Sequence, residues 1–366
     1  MLPQATTDAQ STPASAGYIR PRMKLLPSLK IGQEAFLGKI TGTMVWENQG
    51  VPRLHGANET MFGDPNALSG KTVSMLPFLW YLYPSLQRLW AKVLVWVMVV
   101  FAVNIIVFTA SRTGYITAIV AAILIVLFSP NKKGKLIAWL VIASIVTVNV
   151  MPDEYKERFM SSFNGKEAEG RSADTRKDLF FDSVKTFVEH PLGIGLGCFP
   201  IWQKLNQRNA QETHNLYTQL LAEMGIQGFL CFAALVIVVA RKALRCRRAF
   251  LDLGVRLQGL QARAPPGVVN ATLDEEIRNN KLMASTSNAL VVFLLVRLAL
   301  GVFGHDFMEI YWWFAGGLAM SLHNMRRIAE WRCAELEAES GGPPPDPAPQ
   351  TSSRPPRLKP VLGQPS

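Results

Sequence analysis

Cysteine is scarce in this chain of 366 residues. The four present, Cys198, Cys231, Cys246 and Cys333, share no ligand-like spacing, which excludes a disulfide framework and a cysteine-built metal centre. The common catalytic signatures are missing too: there is no Walker loop, no zincin histidine pair, no Ser-His-Asp order and no pair of carboxylates within one loop. The run Gly193-Ile194-Gly195-Leu196-Gly197 lacks both a preceding strand and the full dinucleotide spacing, so it is a turn and not a nucleotide loop. No internal repeat is visible, and no signal peptide stands at the N-terminus.

Charge is also missing, but only in places. Val93–Thr109, Tyr115–Phe128, Leu136–Val150, Leu216–Ala240, Ala289–Phe303 and Ile310–Leu322 are nearly charge-free, and Val73–Leu86 is a weaker seventh run. Hydrophobic residues make up 49% of the chain, and their clustering decides for a membrane protein. Several runs are shorter than the roughly 20 residues a straight span needs, but flanking polar residues extend them. Lipid offers no partner for a strand edge, so the expected fold is all-α: a polytopic membrane helix bundle of about seven transmembrane helices.

The net charge of +11 does not point to nucleic acid, because the basic residues sit in short clusters beside apolar runs. Asn131-Lys132-Lys133-Gly134-Lys135, Arg241–Arg248 and Arg326-Arg327, together with Arg88 and Lys92, all fall on the cytoplasmic side if seven helices alternate. The C-terminus is then inside, the segment before residue 70 outside, and the cysteines are divided between compartments. One conflict remains. Residues 1–70 carry Arg20, Arg22, Lys24, Lys30, Lys39 and Arg53, a poor composition for unaided export. Either the chain is a shortened form of a longer protein or the weak first span is misassigned.

The expected organisation follows. Residues 1–30 are a disordered segment and 31–72 a pre-membrane segment; residues 73–325 form the transmembrane domain, and 326–366 a cytoplasmic, disordered, Pro-rich tail. The domain includes an external loop, 152–213, and a cytoplasmic loop, 241–285. Within the external loop, Asp174–His190 has helical periodicity, with Phe180, Val184, Phe187 and Val188 on one face. It reads as an amphipathic helix lying on the membrane surface or on the bundle, ended by Pro191 and followed by a flexible glycine turn.

Few residues are left to carry chemistry. His214 stands at the mouth of the fifth long span. With Thr213 as N-cap, His214 and Asn215 fall in the first helical turn, where the helix dipole disfavours imidazolium. A neutral imidazole suits general-base work; the alternative is an interfacial histidine bonded to a loop. Arg112, in "FTASRTGYI", lies in a tight helix–helix turn on the same outer side. It either binds a phosphate bidentately or snorkels to the interface. Arg176 and Arg53, with Arg171 as a weaker third, also face outward, either as solvated charges or as part of a cationic pocket with Arg112. The natural ligand for such a pocket is the diphosphate of an anionic head group arriving from the lipid phase. Glu223, inside the fifth span, requires a polar cavity or a partner on another helix. His305-Asp306 and Glu309 mark the outer turn between the last two helices.

The segments "DSVKTFVEHPLGIGLGCF" and "THNLYTQLLAEMGIQG", with "ASRTG" at a helix–helix turn and "GDPNALSG" before a span, resemble the O-antigen ligase and polymerase-like superfamily over roughly residues 53–325. That resemblance implies a polytopic inner-membrane protein with a large external loop and a periplasmic active face. Its substrates would be an undecaprenyl-diphosphate-linked glycan and an acceptor lipid or glycan hydroxyl, in surface polysaccharide synthesis, beside other assembly proteins. It implies an inverting glycosyltransferase that needs no metal, cofactor or nucleotide sugar. His214 resembles the essential loop histidine of the family, Arg112 and Arg176 resemble the arginines that hold the carrier diphosphate, and Arg53 matches another such arginine. The resemblance implies about ten to twelve helices where this chain shows about seven; the others would be expected at the N-terminus. Two other readings stay open: a solute transporter-like protein, against which the clustering of polar groups on one side argues, and a non-catalytic truncated member of the superfamily.

Overall fold

A computed structural model describes residues 27–48, 51–56, 63–129, 151–164, 172–206, 208, 210–263, 271–304 and 307–340, with single positions between 134 and 149. The expected spans become helices. After α1 (Pro27–Thr41) come α2 (Pro65–Leu82), α3 (Leu89–Phe108) and α4 (Arg112–Phe128). The outer segment holds α5 (Asp153–Asn164), α6 (Ser172–Glu189) and the short α7 (Phe199–Leu205); the bundle closes with α8 (Leu216–Arg263), α9 (Ala271–Gly301) and α10 (Tyr311–Glu339). The fourth expected span, 136–150, lies largely outside the described residues, and those positions in it that are described are helical. His305 and Asp306, and residues 341–366 of the expected tail, are outside as well.

The result is a membrane helix bundle. Among the described residues, Leu89–Phe108, Leu216–Arg263 and Thr272–Gly301 are long and apolar enough to cross a membrane, while Arg112–Phe128 is apolar but shorter. α9 is the centre and packs against α8, α2 and α4. Leu290, Phe293 and Leu294 of α9 share one core with Leu220 and Phe232 of α8 and Trp312 and Leu322 of α10. α3 packs against α1 and α2 and leaves Val93, Trp96, Val97 and Val100 exposed, as a helix bordering lipid does.

Three regions differ from expectation. First, the pre-membrane segment contains a β-hairpin, β1 (Val45–Asn48) with β2 (Val51–Leu54), pairing Val45 with Leu54 and Trp46 with Arg53. Second, the expected cytoplasmic loop 241–285 is helical at both ends. α8 runs on to Arg263, and the 38 residues after Gly225 alone extend about 57 Å, nearly twice the thickness of the hydrocarbon layer. Between the charges of this arm, Phe250, Leu253 and Leu257 recur at helical spacing and bury against Leu273 of α9 and Cys333 of α10. Third, the same packing carries α10 through the first part of the expected tail, to Glu339. Burial pushes the Cys333 thiol up to about 11, so it stays a protonated core residue.

Candidate functional site

Two tight turns at one end of the bundle carry the main candidates. The first joins α3 to α4. Ala110 takes φ of +47°, a left-handed conformation that costs a residue with a Cβ about 1–2 kcal/mol. Ser111 follows and caps α4, its Oγ accepting from the Gly114 N–H at 3.1 Å. Arg112 is thereby the first residue of α4, half-buried. A Cβ on Gly114 would lie 2.0 Å from Ser69 Oγ, so glycine is what lets α4 approach α2 this closely.

Arg53 holds this turn in place. It is only 3% exposed; its Nε donates to Thr109 O at 2.9 Å and its Nη2 to Asn66 Oδ1 at 3.0 Å. Asn66 Oδ1 also accepts from Ser111 Oγ at 2.8 Å. Asp64 caps α2 through bonds from the Asn66 and Ala67 N–H groups at 2.8 and 3.0 Å. "GDPNALSG" and "ASRTG" are thus one hydrogen-bonded unit, clamped by the hairpin. Tyr155 of α5 secures the hairpin from outside, its hydroxyl donating to Pro52 O. Burial raises its pKa, with the charge of Glu154 adding to the effect.

The second turn precedes α8 and is built the same way. His214 takes φ of +50°. Asn215 follows as the cap, its Oδ1 accepting from the Tyr217 and Thr218 N–H groups at 3.0 and 3.1 Å. This corrects the expectation that Thr213 caps the helix with His214 in its first turn. Thr213 folds back on Asn215 instead, its Oγ1 donating to Asn215 O at 3.1 Å. His214 therefore stands just outside the helix, half-buried, and Asn215 satisfies the N–H groups behind it.

Side-chain hydrogen bonds tie α9 to α8 on one side and to α2 on the other. Asn215 Nδ2 donates to Val302 O at 3.0 Å, and Tyr217 Oη to Leu298 O at 2.7 Å. Next to Leu298, Arg297 donates from Nη1 to Ser74 Oγ of α2 at 3.4 Å and lies over the Tyr311 ring. Arg297, 2% exposed, and Lys71 of α2, 8% exposed with its ammonium 4.0 Å from Glu309, were missed in the sequence. A cation inside an apolar run is itself a signal of function, and the run Ala289–Phe303 contains one.

The outer segment locks into α8. At Gly225 (φ +68°, ψ −171°) the helix breaks, which frees backbone groups on both sides. The chain after α6 fills the break. Ile194 N donates to Ala222 O at 3.0 Å, Gly195 N to Glu223 O at 2.9 Å, and Ile226 N to Pro191 O at 3.0 Å. A Cβ on Gly225 would lie 2.4 Å from the Leu192 carbonyl carbon, and one on Gly193 would lie 2.4 Å from Glu223 O. The glycine turn, expected to be flexible, is pinned. Glu223, 3% exposed, finds the polar partners it needs: the Phe199 N–H on Oε1 and Gln219 Nε2 on Oε2, both at 3.3 Å.

α6 meets α8 through Leu179, Ser183 and Thr186, all buried, while Phe180, Phe181 and Val188 remain exposed. It therefore lies on the bundle through a mixed face, with Leu179 in a small core with Phe199 and Ala222, and turns part of its apolar surface outward. Arg176, half-buried, sits one turn before Leu179, on the side that meets α8. Arg112 and His214 come to one end of the bundle, Arg176 reaches α8 through α6, Arg53 and Glu223 are held within the scaffold, and Arg171 is not among the described residues. Among the described residues no group of three His, Cys, Asp or Glu side chains is arranged to hold a metal ion.

The helices and the capped turns at one end define a membrane-embedded bundle with a structured outer segment. Residues 96–233, from α3 through the break in α8, match the family model described as O-antigen ligase, which supports an O-antigen ligase/polymerase-like family. The match contains both capped turns and the interlocked glycines; it leaves out the hairpin, α9 and α10. No curated protein shows significant similarity to the chain.

Proposed function

We propose that the chain is an inverting glycosyltransferase. It would move a glycan from an undecaprenyl-diphosphate carrier to an acceptor hydroxyl at the periplasmic face of the inner membrane, with the C-terminus in the cytoplasm. The acceptor oxygen attacks the anomeric carbon, the bond from that carbon to the diphosphate oxygen breaks, and the carrier diphosphate leaves. Arg112 and Arg176 take up the charge on the leaving group. His214 orients the acceptor and accepts its proton. Arg53, Asn215 and Glu223 serve this site as positioning residues: Arg53 fixes the turn bearing Arg112, Asn215 the turn bearing His214, and Glu223 the seat of the outer segment. The observation that carries this reading is that the capped turns bearing Arg112 and His214 stand at the same end of the bundle, one bonded to α2 and the other to the end of α9, two helices that pack together.

The test is glycan attachment in cells lacking the gene and supplied with the variant. His214→Ala is expected to lower attachment by about 10²–10⁴-fold at an unchanged membrane level, the range for loss of a general base. Wild-type product from that variant would remove His214 from the reaction.

A further inference from the structure

α6 has three sides. Leu179, Ser183 and Thr186, at i, i+4 and i+7, are buried on the bundle. Asp178, Lys185 and Glu189, at i, i+7 and i+11, form a charged side. Phe181, Val184 and Val188, at i, i+3 and i+7, form a third side that is apolar, and Phe181 and Val188 on it are exposed.

The apolar side leads into the outward surface of α8. Leu192 follows it in the chain and is exposed too; its carbonyl accepts from Gln227 Nε2 at 2.7 Å, beside the bond from Ile226 N to Pro191 O. Ile226 and Leu230, one turn apart, are exposed on a helix long and apolar enough to cross a membrane. The depth of this junction follows from the chain. Ile226–Ala240 carries no charge, and Arg241 opens the basic cluster beyond it. Gly225 lies about 24 Å along α8 from Arg241, against a hydrocarbon layer about 30 Å thick. The break therefore stands near the edge of that layer, at the end bearing His214. α6 also lies across α8 and not along it. Leu179 shares a core with Ala222, and the turn after α6 bonds at Ile226 and Gln227. Between Leu179 and Pro191 the chain can advance about 18 Å, but the positions it meets on α8 span only about 7 Å.

We propose that the apolar side of α6, together with Leu192, docks in the interfacial zone of the bilayer, against the acyl chains next to the head groups at the end bearing His214. Burial of Phe181, Val184 and Val188 there removes apolar area from water. The charged side stays in water, as on an interfacial helix. Lys177, one turn before Phe181 on the same side, has a stem long enough to carry its ammonium to the head groups. The helix expected on the membrane surface or on the bundle thus meets both, and the outer segment is held twice, by the break in α8 and by lipid. The proposal rests on α8 as a membrane span and not on glycan transfer, so either can fail without the other.

The full-length protein is reconstituted in phosphatidylcholine vesicles containing a phosphatidylcholine probe with a diazirine near the head-group end of its acyl chain. It is irradiated and the adducts are mapped by mass spectrometry. Adducts are expected at Phe181, Val184, Val188 and Leu192, beside those at Ile226 and Leu230, and not at Asp178, Lys185 or Glu189. A water-soluble diazirine is expected to give the reverse pattern on α6. The double variant Phe181→Glu, Val188→Glu is expected to lower lipid adducts at Val184 and Leu192 at least about tenfold. Its thermal unfolding in detergent is expected to match wild type, because both side chains are exposed. If the variant fails to fold, the wild-type map decides alone. Lipid adducts at Ile226 and Leu230 with none on α6, water-soluble adducts on its apolar side, or undiminished lipid adducts in the double variant would each overturn the proposal. Protection of the apolar side from both probes would mark a second copy of the chain in place of lipid and overturn it as well.

Discussion

The two ends of the bundle are held by different interactions. At the end bearing Arg112 and His214, polar groups bond to backbone atoms of distant segments: Arg53 to Thr109 O, Asn215 to Val302 O, Ile194 N to Ala222 O. At the other end, α8, α9 and α10 run on as long arms with an apolar seam and ion pairs on the outside. Arg256 makes a two-pronged bond to Glu337, with Nε to Oε1 at 2.9 Å; Arg332 lies 3.5 Å from Glu276. The first end fixes where particular atoms sit, because backbone groups cannot move independently of the chain. The second only keeps helices together, and exposed ion pairs contribute little even when well formed.

This contrast predicts an order of mutational effects. The largest is expected at the interlocked glycines. Gly225→Ala puts a Cβ against the Leu192 carbonyl in a left-handed conformation, and a cost of more than about 2 kcal/mol is expected from strain and lost backbone bonds together. Thermal unfolding in detergent reads it out. Arg53→Met comes next: it leaves Asn66 Oδ1 and Thr109 O short of a donor in a buried turn, for about 1–3 kcal/mol by the same assay. His214→Gly sharpens the contrast by separating strain from chemistry. Relief of the left-handed φ is expected to leave unfolding at or above the wild-type temperature while glycan attachment is lost.

The smallest effect is expected at the arms. Arg256→Ala is expected to cost no more than about 1 kcal/mol. The Arg256 guanidinium, through its hydrogen bonds, holds the Glu337 carboxyl below its ordinary value. The stability this adds is fully present above the ordinary carboxylate range and is lost as pH falls through the lowered folded value, so the difference between wild type and Arg256→Ala should vanish in acid. An Arg256→Ala cost larger than that of Arg53→Met would break the comparison.

What the sequence revealed divides along the same line. The spans are legible because lipid-facing helices such as α3 carry charge only near an end, as at Lys92, and none to interrupt their apolar run. The arms are not, because Arg245, Arg248 and Arg256 disguise the buried Phe250, Leu253 and Leu257 between them. Arg112 and His214 are legible from their turns, but the cap before α8 is not, since Thr213 and Asn215 are both good caps and only the folded loop selects one. The role of Asn66 in "GDPNALSG" is not legible, because both of its partners, Arg53 and Ser111, come from elsewhere in the chain. The glycine turn read as flexible for the same reason: the atoms that pin it lie some thirty residues further along.

The break at Gly225 also changes what kind of object the outer segment is. Ordinary external loops can be trimmed, exchanged between relatives or cut by a protease without harm to the spans they connect. Here the segment completes the hydrogen-bond ladder of α8, so its excision would strand the Ala222 and Glu223 carbonyls and the Ile226 N–H beside an apolar medium that offers them nothing. Chimaeras between relatives would therefore have to exchange the outer segment and the first turns of α8 together.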